Sequence, residues 1–382
     1  MILAVILPLE IVEYMLEGEP PHNPADRSIA ATPDVVDPRR PGVSLFQFDL
    51  YPFTGGHTQA NLHVNSGLFR TGDHGFMIDF DLDAPPPKEE NEIRVLLVGG
   101  SAAAGHGATE NRHMIHNVME RYFAAENVCG DGRTLSVINL SMGGSRAFQN
   151  FIALNYWGHA LEPDGIISLS GTNDQRQPFH PEYFGFRNTL SYQALAMSSN
   201  NPPFARFLAK RYPNIVNSTS LGLLLRALAL DDISERVWED YTARFPFETE
   251  VQSSISEYVH AIQSMRRDFA PLPVVVAYQP FMASLANPGK SLTAWGFDVP
   301  GRLAQYGNFI AETRDALVDK PRPGPLLFVD VHGWYQETWA DTLDPGDGTH
   351  MWDNKQKLVG EYLIDRIGDF FCRTTAPAAD TR

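Results

Sequence analysis

From Ile93 onward, short runs of β-branched and aliphatic residues alternate with longer stretches whose apolar positions recur at helical spacing. The runs are 93–98 (IRVLLV), 135–140 (LSVINL), 165–170 (GIISLS), 273–278 (PVVVAY) and 325–330 (PLLFVD). Each is almost continuously apolar, as strands buried on both faces are. Helices are predicted between and after them, near 113–126, 146–160, 251–268, 301–318 and 354–371. Strand and helix in strict alternation predict an α/β protein, a three-layer α/β/α sandwich on a five-stranded parallel sheet. Between the third and fourth strands lies an insertion from about Gln175 to Ala270, with helical apolar content in LGLLLRALAL (221–230). It reads either as a helical lid beside the carboxyl ends of the strands or as helices completing one face of the sandwich.

The two ends follow different patterns. Residues 1–18, MILAVILPLEIVEYMLEG, are apolar but interrupted by Pro8, Glu10 and Glu13. They fall short of the roughly 20 apolar residues a spanning helix needs, and they lack the basic start and small-residue cleavage site of a signal peptide. Two readings stand: a buried or surface helix, or the tail of a truncated membrane anchor. Residues 19–42 are rich in Pro, Asp and Arg and read as an extended linker, the opening of a 19–90 extension packed on a domain spanning 91–373. Residues 374–382 read as a frayed tail.

Composition narrows the partners. The 382-residue chain carries 30 Lys+Arg against 46 Asp+Glu, a formal net charge of −16. Such a surface gains little from phosphate contacts, so nucleic acid is not an expected partner. A hydrophobic content of 43% allows a large core and excludes global disorder. Cys129 and Cys372 are too few for a disulfide scaffold and too distant in sequence for a zinc knuckle; the sequence leaves open whether they pair.

Candidate chemistry sits where the predicted strands end. The first runs into Gly99-Gly100-Ser101-Ala102-Ala103-Ala104-Gly105, a turn that exposes a serine at the strand's carboxyl end. Gly100 and Gly105 have the glycine spacing of a phosphate-binding Walker loop, but His106 and Gly107 stand where Lys and Ser/Thr are required. The second strand ends in Asn139-Leu140-Ser141-Met142-Gly143-Gly144 and the third in Ser170-Gly171-Thr172-Asn173-Asp174. A parallel sheet brings these edges together, so the Ser101 and Gly144 amides and the Asn173 carboxamide can serve as donors to an oxyanion. Before the last helix, Asp347-Gly348-Thr349-His350 lets the carboxylate accept from Nδ1 and turn Nε2 outward as a base.

In this order the blocks resemble the SGNH (GDSL-type) hydrolase and esterase superfamily. The likeness runs through most of 93–371, although fewer than ten residues identify it. It implies a flavodoxin-like sandwich with Ser101 as nucleophile, His350 as base, Asp347 as its orienter, and Ser101, Gly144 and Asn173 as the oxyanion hole. It implies no metal and no organic cofactor. The departure is Gly100, where the family carries an aspartate that supports the turn. Envelope-anchored members carry a Tyr/Pro-rich segment and a Val-Asn-Ser-x-Gly-Phe-Arg-like phrase; Leu50-Tyr51-Pro52-Phe53 and Val64-Asn65-Ser66-Gly67-Leu68-Phe69-Arg70 are similar. This implies a bacterial cell envelope location, periplasmic or membrane-anchored through the N-terminus, with the cytoplasm as the alternative.

Three functions fit these residues. The first is a serine esterase that hydrolyses a small acyl ester, acetyl on a cell-envelope carbohydrate. The second is an O-acyltransferase with the same triad, and the third a catalytically silent glycan-binding or assembly module, motivated by Gly100 and the insertion. Other residues carry rival roles. Ser141 sits in a near copy of the α/β-hydrolase elbow that lacks its first glycine. His106, His113 and His116 form a conceivable but acid-poor metal cluster. His332, Trp334 and Trp339 are candidate substrate contacts. Tyr183, Phe184, Phe186, Trp295 and Tyr335 are further aromatics able to stack on sugars. Oligomeric state is not legible.

Overall fold

The computed structural model describes residues 46–47, 57–58, 63–64, 69–72, 74–78, 80–176, 247–281, 299–319, 324–339 and 350–375. Two short antiparallel ladders come first, β1 (Phe46–Gln47) with β2 (His57–Thr58) and β3 (His63–Val64) with β4 (Phe69–Arg70). The main sheet consists of β5 (Glu92–Gly99), β6 (Thr134–Asn139), β7 (Gly165–Ser170), β8 (Val274–Tyr278) and β9 (Leu326–Val329). Its order is β6-β5-β7-β8-β9 and every neighbouring pair is parallel. All five carboxyl ends therefore open on one edge. The chain leaves β5 toward β6 on one side and returns to β7 on the other, so the strand order reverses around β5, where ligand crevices form in such sheets.

The alternation of side chains along these strands builds two cores. Ile93, Val95 and Leu97 of β5, with Val137, Ile167, Leu169, Val275 and Ala277, face α1 (Ile115–Glu126) and α7 (Asp353–Thr374). Leu96 and Val98, with Ile138, Ile166, Val274 and Val276, face α2 (Ala147–Trp157), α4 (Phe247–Asp268) and α5 (Val299–Val318). Each such aliphatic side chain contributes about 1.5–3 kcal/mol by leaving water, which explains why the strands are dominated by apolar residues. The three-layer α/β/α architecture is thus as the periodicity predicts. The C-terminal part of the insertion, α4, lies in the second core through Tyr258, Val259, Ile262 and Met265. Residues 177–246 of the insertion lie outside the described residues, as do the apolar N-terminal segment and most of the C-terminal tail.

Two short helices have no counterpart in the sequence prediction. α3 (Thr172–Arg176) follows β7, and α6 (Val331–Trp339) follows β9. Asp330 starts α6 by accepting the Gly333 N–H at 2.7 Å. The extension before β5 joins the core through buried Phe76, Ile78 and Leu82, with Phe76 edge-on to Trp157 at 5.1 Å.

Helices α1 and α7 lie side by side. At the far end from the open edge they are joined by the Cys129–Cys372 disulfide, with Cα atoms 5.5 Å apart and a sequence separation of 243. No helix among the described residues is long and apolar enough to cross a membrane.

Candidate active site

β5 ends at Gly99, and the chain folds at once into a tight turn. The Ala104 N–H donates to Gly100 O at 2.9 Å, and the His106 N–H donates to Ser101 O at 3.0 Å. This places Ser101 at the sheet edge, 5% exposed. His350 approaches from the other end of the chain, and its Nε2 lies 2.8 Å from Ser101 Oγ across 249 residues of sequence. That is the reach a general base needs. Asp347, which the sequence assigns to orient His350, lies outside the described residues.

The donors expected beside this pair converge on the same turn. Asn173, at the second position of α3, donates from Nδ2 to Ser145 O at 2.9 Å, which fixes the carboxamide and leaves its second N–H for another acceptor. A Cβ added to Gly100 would sit only 2.5 Å from that Nδ2. Gly100 therefore leaves room for the Asn173 amide beside Ser101. Gly144 turns with φ of 70°. Neither its N–H nor that of Ser101 donates to another backbone group among the described residues. Ser145 holds this turn against β5, its Oγ 2.6 Å from Gly99 O and 2.7 Å from Asn150 Oδ1.

Asp174 continues the support. Its Oδ1 accepts the Ala147 N–H at 3.0 Å, so neighbouring residues of α3 both grip the 145–147 segment that follows Gly144. Burial pushes the Asp174 carboxyl up to about 6, against the pull of the Arg146 guanidinium. Arg146 in turn pairs with Glu257 at 2.9 Å. From β6, Asn139 donates to Ala103 O at 2.9 Å, and its Nδ2 lies 3.1 Å from His116 Nδ1, tying β6 to the serine turn.

The structure separates the rival residues from one another. Ser141 is 2% exposed and its Oγ points to Leu97 O at 3.4 Å, back into the sheet and not toward an imidazole. The three histidines near the turn occupy different surroundings. His106 lies ring to ring against His350 at 5.7 Å, His113 Nδ1 is 3.0 Å from Asp353, and His116 sits between Asn139 and Asn117. His332 accepts the Phe281 N–H at Nδ1, 3.1 Å, and packs edge-on to Tyr306 at 4.8 Å. Trp334 is stacked at 4.1 Å on Tyr362 of α7, and Tyr335 is buried. The side chain of Trp339, together with Tyr183, Phe184, Phe186 and Trp295, lies outside the described residues.

Three other contributors have little signature in the sequence. In the first turn of α7, Gln356 bonds to the serine turn and Asp353 to Thr109 just beyond it. Arg70 and Asn111 exchange bonds of 2.9 Å in both directions, fastening the N-terminal extension beside the same turn. Only the Asp at the start of a helix could have marked one of them, as a first-turn acid.

No protein-family model matches the chain, and no curated protein matches it. Similar solved structures include a lipase/acylhydrolase from Enterococcus faecalis, 15% identical with a TM-score of 0.40, covering 72% of this chain and 96% of that one. Another is an acetylxylan esterase from Geobacillus stearothermophilus, 13% identical with a TM-score of 0.41, covering 72% of this chain and 94% of that one.

His332 supplies a pH test of the site's packing. Burial lowers its imidazole to about 4, so it is neutral in the folded chain, whereas the unfolded chain takes up a proton near the ordinary value of 6.5. Its contribution is therefore complete above about pH 6.5 and is lost as pH falls toward 4, amounting to about 2 kcal/mol by pH 5. His332→Asn keeps an acceptor for Phe281 N–H and removes the titration. Thermal unfolding at about pH 7 and pH 5 should show the parent losing more stability than this variant. Equal losses would show that His332 is protonated without penalty. Asp174 has the opposite sign and is common to both proteins.

Proposed function

We propose that this chain is a serine esterase of the SGNH type, with Ser101 as nucleophile and His350 as general base. The observation that carries this reading is the 2.8 Å contact between His350 Nε2 and Ser101 Oγ, at an edge where Gly144 and Asn173 also converge. His350 takes the hydroxyl proton as Oγ attacks the acyl carbon, and the carbonyl electrons move to oxygen. The Ser101 and Gly144 N–H groups and Asn173 Nδ2 stabilise that oxyanion. The imidazolium then protonates the departing alkoxide, leaving an acyl-serine. Water, deprotonated by the same imidazole, releases the acid and restores the serine. Asp347 would hold the Nδ1–H tautomer throughout.

For the substrate we propose a small acyl group, acetyl, esterified to a carbohydrate of the cell envelope; this rests on the block resemblance. The Cys129–Cys372 pairing supports a compartment outside the cytoplasm, since such bonds persist in oxidising surroundings. The Gly100 departure, which motivated a catalytically silent reading, has a steric role beside Asn173 and leaves the reactive groups in place.

The test is hydrolysis of 4-nitrophenyl acetate and release of acetate from an O-acetylated polysaccharide, with and without an added glycan acceptor. Ser101→Ala should lower kcat by about a thousandfold or more. Undiminished turnover would refute the nucleophile, and acetate moving mainly to the added glycan would make the protein a transferase. Gly100→Ala should lower kcat by about a hundredfold with little change in KM, because its methyl displaces the Asn173 donor that acts in the transition state. Unchanged kcat in this variant would remove Asn173 from the oxyanion hole.

A further inference from the structure

A single hydrogen bond such as His350–Ser101 contributes only about 1 kcal/mol. It cannot by itself hold two loops that belong to opposite ends of the chain. The first turn of α7 contains the groups that do. Gln356 is fully buried, and its side chain reaches three separate segments. Oε1 accepts the Ile115 N–H at 3.1 Å, where α1 begins. Nε2 lies 3.0 Å from Met351 O, beside the base, and 3.1 Å from Gly105 O, in the serine turn. His106 O is also within 3.4 Å. Three residues earlier in the same turn, Asp353 takes both donors of Thr109, the N–H at 2.8 Å on Oδ1 and the hydroxyl at 2.6 Å on Oδ2. The His113 ring nitrogen Nδ1 stands 3.0 Å from Oδ2 as well. The two backbones touch between these clasps: a Cβ on Gly107 would lie 2.5 Å from Met351 O.

We infer that Asp353 and Gln356 are positioning residues, a double clasp that locks the His350 loop to the serine turn and so sets the separation of base and nucleophile. This rests on the esterase reading above. Neither side chain has a bond to Ser101 Oγ or to the His350 ring among the described residues, so their effect passes through the backbone of 105–109 and 350–351. Loosening the clasp changes the step in which His350 takes the proton, whereas the acyl pocket keeps its shape. The effect therefore falls on kcat and spares KM. A displacement of about 1 Å is worth about a hundredfold in rate.

The experiment compares four variants of the whole chain on 4-nitrophenyl acetate: Gln356→Leu, Asp353→Asn, Val359→Ala and Ser101→Ala. Val359 is a buried α7 side chain in the core below the clasp, and its truncation reports what destabilising this helix does by itself. Gln356→Leu and Asp353→Asn should lower kcat about 10- to 100-fold with KM within about twofold. Val359→Ala should lower Tm and keep the parent kcat. Parent-like kcat in both clasp variants, or an equal fall in Val359→Ala, overturns the inference while a dead Ser101→Ala leaves the esterase reading intact. Turnover surviving in Ser101→Ala overturns both. Should Gln356→Leu fail to fold, Asp353→Asn decides the matter, since Asp353 is at the helix's first position and partly exposed.

Discussion

The contact between Ser101 and His350 spans 249 residues of sequence, and the architecture of this protein can be understood as the means of holding it. A parallel sheet delivers five strand ends to one edge, but it delivers them as chain directions and not as side-chain positions. Ser101 is placed by the turn after β5, which is locked by its own backbone bonds and by Asn139 from β6. His350 is placed just before α7, a helix whose apolar stripe is anchored on the sheet through Leu363, Ile364 and Ile367. Core burial therefore fixes the two supports, and polar side chains at the edge fix the last ångström between them.

Those polar side chains share a physical character. Asn139, Ser145, Asn173, Asp174 and Gln356 are all at least 95% buried, and their partners are largely backbone groups of neighbouring loops. Inside a protein such groups are costly to leave unpaired, so each bond discriminates strongly against any arrangement of the loops but this one. The raised Asp174 carboxyl is the cost of this strategy. A charge held near Arg146 and Glu257 lowers the stability of the folded state at neutral pH while it secures the Ala147 amide close to Gly144.

Much of this was legible in the chain. The strands were, because near-continuous apolar runs such as GIISLS (165–170) can only satisfy burial on both faces; β7 spans the same residues. Ser101, Gly144, Asn173 and His350 stood out as candidates because they follow strand ends or precede the last helix, positions that a parallel sheet gathers at one edge. Helix α6 was not, since Val331-His332-Gly333-Trp334 continues an apolar run without a change of period and its start depends on the Asp330 cap. Gln356 and Asp353 were invisible for a different reason: most of their partners are atoms about 240 to 250 residues away, and local pattern cannot encode them. The fit at Gly100 was not legible either, because the Asn173 amide that fills the space of a side chain there comes from a strand end more than 70 residues away.

The central claim is that Ser101, and no other hydroxyl, is activated by His350. Its most direct test is mass-spectrometric location of the covalent adduct left by a fluorophosphonate on the folded protein. The account predicts a single modified peptide containing Ser101, absent from Ser101→Ala. A label on Ser141, or none on protein shown to be folded, would contradict it.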